Sequence, residues 1–200
     1  MARRIPFRTT VLLLGLVAAM PSFAQSAPVD WGFDPGALFA DGRELVMRAP
    51  DDSVDGLFQA VHASSRSPQD ARVMCELFDP SAQRSLEGYN GIAAQLSEES
   101  RLRFADAATA FFLAAAQSPR QPYDAATAQQ ALKAAGVRAA LLNDGFVAGL
   151  NGGDHAARCR SVGWLLDALQ SRPAAERASV MRLLLGQGLD YLALGASLPR

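Results

Sequence analysis

The chain has 200 residues, with 19 basic and 20 acidic side chains and a formal charge of −1. That balance lacks the basic excess that neutralises phosphates, so a nucleic-acid partner is not expected. Lys133 is the single lysine among many arginines, and alanine is abundant; both read as genome composition, and the alanine also favours helix.

The first segment has three parts. Arg3, Arg4 and Arg8 make a basic start, Val11 to Met20 is an unbroken apolar run, and Ser22-Phe23-Ala24 puts small residues before Gln25. This is the pattern of a secretory signal peptide cut between Ala24 and Gln25. The apolar run is far shorter than the roughly 20 residues a membrane-crossing helix needs. Residues 1–24 are therefore expected to be a cleaved leader, and 25–200 a single all-helical domain with no membrane span. Removing the leader takes three arginines and leaves 16 basic against 20 acidic residues, a net of −4.

Residues 25–35, with Pro28, Gly32 and Pro35, read as an extended lead-in that Trp31 and Phe33 dock onto the body. Asp34-Pro35 then opens a first helix carrying the apolar pattern of residues 37–47. Pro50-Asp51-Asp52 separates it from a second, over 53–63. Ser67-Pro68 opens a third, through Cys75 to Phe78, and Asp79-Pro80 a fourth, to about Leu96. Within the fourth, Tyr89 between Gly88 and Asn90-Gly91 marks a kink. Ser97 followed by Glu98 and Glu99 is a strong helix start, since the hydroxyl caps free amides and the carboxylates face the positive dipole end. That fifth helix ends near Gln117, before the loop Ser118-Pro119-Arg120-Gln121-Pro122.

Asp124 caps a sixth helix that Gly136 is expected to end, and a seventh follows over 137–150. Asn151-Gly152-Gly153 is a turn. Asp154 caps an eighth helix through Leu169, and Arg172-Pro173 opens the last, to about Leu194. No run alternates with period two long enough for a strand. Short connections imply antiparallel neighbours. The fold class is all-α: a compact bundle of about eight to nine antiparallel helices with one disulfide.

The disulfide expectation rests on Cys75 and Cys159, the two cysteines of an exported chain. Ala71, Met74, Cys75 and Phe78 share one helical face, and Cys159, Val162, Leu166 and Leu169 share another, so both thiols point coreward. Their bridge closes a loop of roughly 85 residues, which the chain-entropy account values at about 4–5 kcal/mol.

Chemistry is thinly signalled. His155 stands four before Cys159 and can share its face, but that pair offers two ligands where a metal site takes three or four. His62 lies near a helix end, where histidine commonly meets free carbonyls. No Gly-x-Ser-x-Gly is present. The glycine run from Gly145 to Gly153 lacks the Lys-Ser or Lys-Thr of a phosphate loop. Gly145, Gly149, Gly188 and Gly195 read instead as sites of close helix approach. Glu44, Glu76 and Glu87 are the carboxylates to examine for paired-acid hydrolysis, with Arg101, Arg103 and Arg138 as their more ordinary ion-pair partners. No catalytic, cofactor-binding or metal-binding residue is assigned.

The expected function is that of an exported, periplasmic or secreted, protein acting by binding an unknown protein partner, such as an inhibitor or immunity-type protein. An envelope hydrolase using paired carboxylates is one alternative. A carrier of a small apolar ligand beside Phe104, Phe111 and Phe112 is the other. An enzymatic role is the less favoured reading.

Overall fold

A computed structural model describes residues 35–77, 79 and 85–196. Among them are nine α-helices and no strand. In chain order these are α1 (Pro35–Arg48), α2 (Asp51–Arg66), α3 (Ala71–Glu76), α4 (Leu86–Gln95) and α5 (Glu98–Gln117). They continue with α6 (Ala125–Leu142), α7 (Phe146–Asn151), α8 (His155–Gln170) and α9 (Ala174–Ala196). The leader, the Trp31–Phe33 lead-in and Phe78 lie outside the described residues. No described helix is long and apolar enough to cross a membrane.

Helices α2 and α9 form the central pair. Helices α1 and α5 cover one side of it, α6 and α8 the other, and α7 rides on α8. Two buried clusters follow from that layout. In the first, Phe58 of α2 meets Ala131, Ala135 and Ala139 of α6, Phe146 of α7, Leu166 and Leu169 of α8 and Val180 of α9. In the second, Val46, Ala49, Val54, Phe111, Ala115 and Ala178 pack together, and Met181 touches both clusters. The core face of α6 is alanine at Ala128, Ala131, Ala135 and Ala139, a spacing that makes one smooth stripe. Small side chains there let α6 lie close against α8 and α9.

Polar pins hold the layers in register. Arg177 of α9 grips Asp55 of α2 with two bonds of 2.7 Å, and its Nη1 donates to the Arg172 carbonyl. The hydrogen bond to Asp55 raises the Arg177 pKa against the opposing effect of burial, so the charge is permanent. Arg182 is 2 % exposed; it donates to the Ala49 carbonyl and to Asp51 Oδ1, each at 2.5 Å. Buried Asp70 accepts from the Ser97 amide at 2.7 Å and from the Ser97 and Ser100 hydroxyls at 2.6 Å.

Three expected helix starts are where the capping chemistry puts them. Ser97 Oγ accepts from the Ser100 amide, and the Asp124 and Asp154 carboxylates accept from the amides two and three residues on. Other boundaries differ. Helix α6 runs through Gly136 to Leu142, because its buried alanine stripe continues to Ala139 and outweighs the roughly 1 kcal/mol penalty of an internal glycine. The turn instead falls at Gly145, whose φ of +82° is the left-handed conformation glycine tolerates. The seventh helix is thereby cut to α7. Helix α4 starts at Leu86 under a Ser85 cap, not at Asp79-Pro80, and runs unbroken past Tyr89 and Gly91. Helix α2 is longer than expected, with Asp51 and Asp52 inside its first turn rather than ahead of it.

The glycines divide. A Cβ on Gly149 would stand 2.3 Å from Ser161 Oγ and 2.7 Å from the Ala157 carbonyl, so α7 meets α8 at bare backbone, as expected. A Cβ on Gly145 or Gly188 would meet nothing within 4 Å; neither marks a close approach.

Candidate functional site

The disulfide neighbourhood gathers the most chemistry. Helix α3 is a short element whose buried residues are Met74 and Cys75. Helix α8 begins under the Asp154 cap, placing His155 in its first turn and Cys159 one turn later on the same face. Cys75 and Cys159 face each other at disulfide distance, with Cα atoms 5.4 Å apart, inside the ordinary range for a bridge. The Nε2 of His155 lies 3.7 Å from Cys75 Sγ. Its Nδ1 lies 2.9 Å from Asp79 Oδ2. The Cys75, His155 and Cys159 ligand atoms all fall within 4.8 Å of one another. Residue spacing brings out only the His155–Cys159 pair; the second sulfur, of Cys75, and the Asp79 carboxylate arrive from a different part of the chain.

A cleft of about 280 Å³ opens beside this cluster. Both cysteines line it, together with Arg66, Arg160, Met74 and Trp164. Trp164 is only partly buried and also packs on the first core cluster. Of the two guanidiniums, that of Arg66 is paired with Asp167.

A second cleft, of about 380 Å³, lies where the 118–123 loop meets α2 and α9. Asp51, Asp124, Tyr123, Thr127 and Arg182 line it. Two carboxylates share this space, which is the arrangement a paired-acid hydrolase needs. Their partners work against that chemistry. Asp51 is held by Arg182 Nη1. Asp124 is committed to capping α6, and the hydrogen bonds from the Thr127 hydroxyl and amide and the Ala126 amide lower its pKa. A general acid near neutrality needs a raised one. Burial pushes the Tyr123 phenol up, with Arg182 opposing, so this group stays protonated at neutral pH.

The carboxylates singled out from sequence do not converge. Glu44 pairs with Arg120 on the surface. Glu87 is exposed, and Glu76 is half-buried on α3. Arg103 pairs with Glu99 one turn away on α5. His62 finds no free carbonyl; it stacks on Phe58, and its Nε2 meets Asp167 Oδ1 at 2.9 Å. Arg66 reaches the other Asp167 oxygen at 3.4 Å, so Asp167 of α8 ties down the end of α2. Phe111 belongs to the second core cluster, with Phe112 packed against it edge-to-face.

One further surface is unusual. Val137, Leu141 and Leu142 near the end of α6 and Val147 in α7 are 60, 80, 68 and 57 % exposed. Val137 and Leu141 are one helical turn apart, and the Gly145 turn carries the chain from Leu142 to Val147. Isolated exposed apolar residues are ordinary, whereas several at one corner are not.

Comparison with known protein families, with curated proteins and with solved structures returned no significant match.

Proposed function

We propose that the chain is exported, loses residues 1–24, and works in the periplasm or outside the cell by holding a protein partner against the α6–α7 corner. The observation carrying this reading is the exposed set Val137, Leu141, Leu142 and Val147. Val137 and Leu141 share one face of α6, with Leu142 and Val147 exposed beside the turn that follows, and uncovered apolar side chains so close in the chain resemble the centre of an interface, where burial supplies the driving force. The pinned scaffold behind them suits that task, because a rigid surface loses little freedom on docking. The leader-like N-terminus and the disulfide pair fit an oxidising compartment. The clamped pair Asp51 and Asp124 gives the hydrolase reading no free acid.

The test replaces Leu141 and Leu142 by aspartate in the full chain and places a photo-crosslinking residue at position 137. In cells, the wild-type corner captures one protein in stoichiometric amount, and the double variant loses it while keeping its helix content and disulfide. Equal capture by both proteins, or no cross-link from position 137, overturns the reading.

A further inference from the structure

We propose that the Cys75–Cys159 disulfide is the oxidised form of a redox-gated site for zinc or a similar thiophilic divalent cation. Cys75, Cys159 and His155 would be its protein ligands and Asp79 its outer partner. The inference does not depend on the α6–α7 corner.

A ring nitrogen 2.9 Å from a carboxylate oxygen carries its hydrogen toward that oxygen, so Nδ1 of His155 donates to Asp79. In the neutral ring this leaves the lone pair on Nε2, which lies 3.7 Å from Cys75 Sγ. A disulfide sulfur has no proton to give, so the bridge has no hydrogen bond to offer that lone pair. A structural disulfide needs no such neighbour. A metal ion does: its histidine ligand almost always gives the other ring N–H to a carboxylate or carbonyl, which fixes the tautomer and aims the lone pair. Asp79 and His155 already stand in that relation.

The distances agree. A tetrahedral centre with Zn–S bonds of about 2.3 Å and Zn–N bonds of about 2.0 Å separates sulfur from nitrogen by roughly 3.5 Å and sulfur from sulfur by roughly 3.8 Å. The Cys75–His155 spacing of 3.7 Å is close to the first value. Parting the two sulfurs requires side-chain rotation, since the Cα atoms, 5.4 Å apart, leave both sulfurs free to reach one ion. His155 and Cys159 share the first turns of α8, a rigid platform for two ligands at i and i+4. Three protein ligands leave the fourth position to water or an exogenous group, the pattern of an open zinc site. The cleft beside both sulfurs gives small molecules a way in.

The steps balance. An external dithiol reduces the bridge with two electrons and two protons, yielding the Cys75 and Cys159 thiols and leaving as its own disulfide. The divalent cation then forms two metal–sulfur bonds, releasing the two thiol protons to solvent, and accepts the His155 Nε2 lone pair. Two-electron oxidation by a disulfide of the same class restores the bridge and frees the cation.

Cobalt(II) titrated into the full chain, purified as the cell delivers it, tests the proposal through its absorption. After reduction with a phosphine, wild type binds one equivalent and develops thiolate-to-cobalt charge transfer with the strong visible bands of tetrahedral cobalt. Zinc abolishes both. The oxidised chain develops neither. His155→Ala loses the tetrahedral spectrum, and Asp79→Asn keeps it but binds about 10- to 100-fold more weakly. Circular dichroism accompanies each titration: a reduced chain that loses helix and regains it with cobalt supports the site, and one that stays unfolded with cobalt overturns it. Absence of charge transfer in reduced wild type, the same spectrum in the oxidised chain, or unchanged affinity in both variants also overturns it.

Discussion

Asp70 takes both hydrogen bonds that Ser97 can donate, from its backbone amide and from its hydroxyl, at 2.7 and 2.6 Å. Ser97 is at the same time the cap of α5, so a buried carboxylate before α3 sets where a helix 27 residues later begins. Ser100 Oγ supplies a third donor, and Arg103 Nη1 in turn donates to Ser100 and Ser64.

Asp70→Ala leaves three donors without an acceptor, the buried Ser100 hydroxyl and the half-buried Ser97 amide and hydroxyl. It is expected to cost about 3 kcal/mol or more, each orphaned donor being worth roughly 1–3 kcal/mol. Guanidinium melts at neutral pH check this. Burial by itself would raise the Asp70 pKa, but the bonds from Ser100 and Ser97 outweigh it and the pKa is lowered below 3.8. A carboxylate with a depressed folded-state pKa contributes stability above its unfolded pKa and loses it as pH falls through the folded value. The wild-type midpoint should hold at pH 5 and above and decline below about pH 4. The Asp70→Ala midpoint should decline less over that window.

Arg182 and Asp51 are unequal partners, 2 % and 49 % exposed. Truncating the arginine strands the Ala49 carbonyl in the core, whereas losing the aspartate still leaves Arg182 bound to that carbonyl. Arg182→Ala removes a buried side chain and its packing and orphans a core carbonyl, so it is expected to cost about 2–4 kcal/mol, and Asp51→Asn, which keeps an oxygen acceptor at a half-exposed position, less. Chemical denaturation of the two variants side by side tests the ordering.

Two glycine replacements should move stability in opposite directions. Gly149→Ala drives a methyl into Ser161 Oγ and the Ala157 carbonyl and should cost about 1–3 kcal/mol through overpacking. Gly136→Ala adds its methyl where nothing lies within 4 Å, inside a helix. It should stabilise by up to about 1 kcal/mol. Thermal midpoints of both variants decide the matter.

Reduction, or replacement of both cysteines by serine, removes a link across 84 residues. The chain-entropy account puts the loss at about 4–5 kcal/mol. Guanidinium midpoints with and without a phosphine measure it. A midpoint that does not move would mean the bridge adds nothing to folding.

What the sequence made legible was local. Ser97, Asp124 and Asp154 were readable as caps because a cap involves a side chain and amides two or three residues away. The meeting of Cys75 with Cys159 was readable because there are two cysteines. The failures are all decided at a distance. Gly136 reads as a stop until the alanine stripe on its far side is seen to be buried. His62 meets an aspartate 105 residues away, and Asp79, which reads as a helix start, is the partner of His155. Asp70 looks like any surface acid beside Ala71. Its burial depends on α5 folding back over it, which no local pattern records.

The central pairing of α2 with α9 has a consequence for timing. Both buried clusters include residues of α9, Val180 in one and Ala178 in the other. Neither can close until residues near 180 have left the ribosome, at about 5–20 residues per second. Helices α1, α2 and α6, which pack on α9, must therefore wait, each lacking a wall of its core, while most of the chain is already made. During those seconds neither buried cluster is complete, and the last long helix acts as the clock for both.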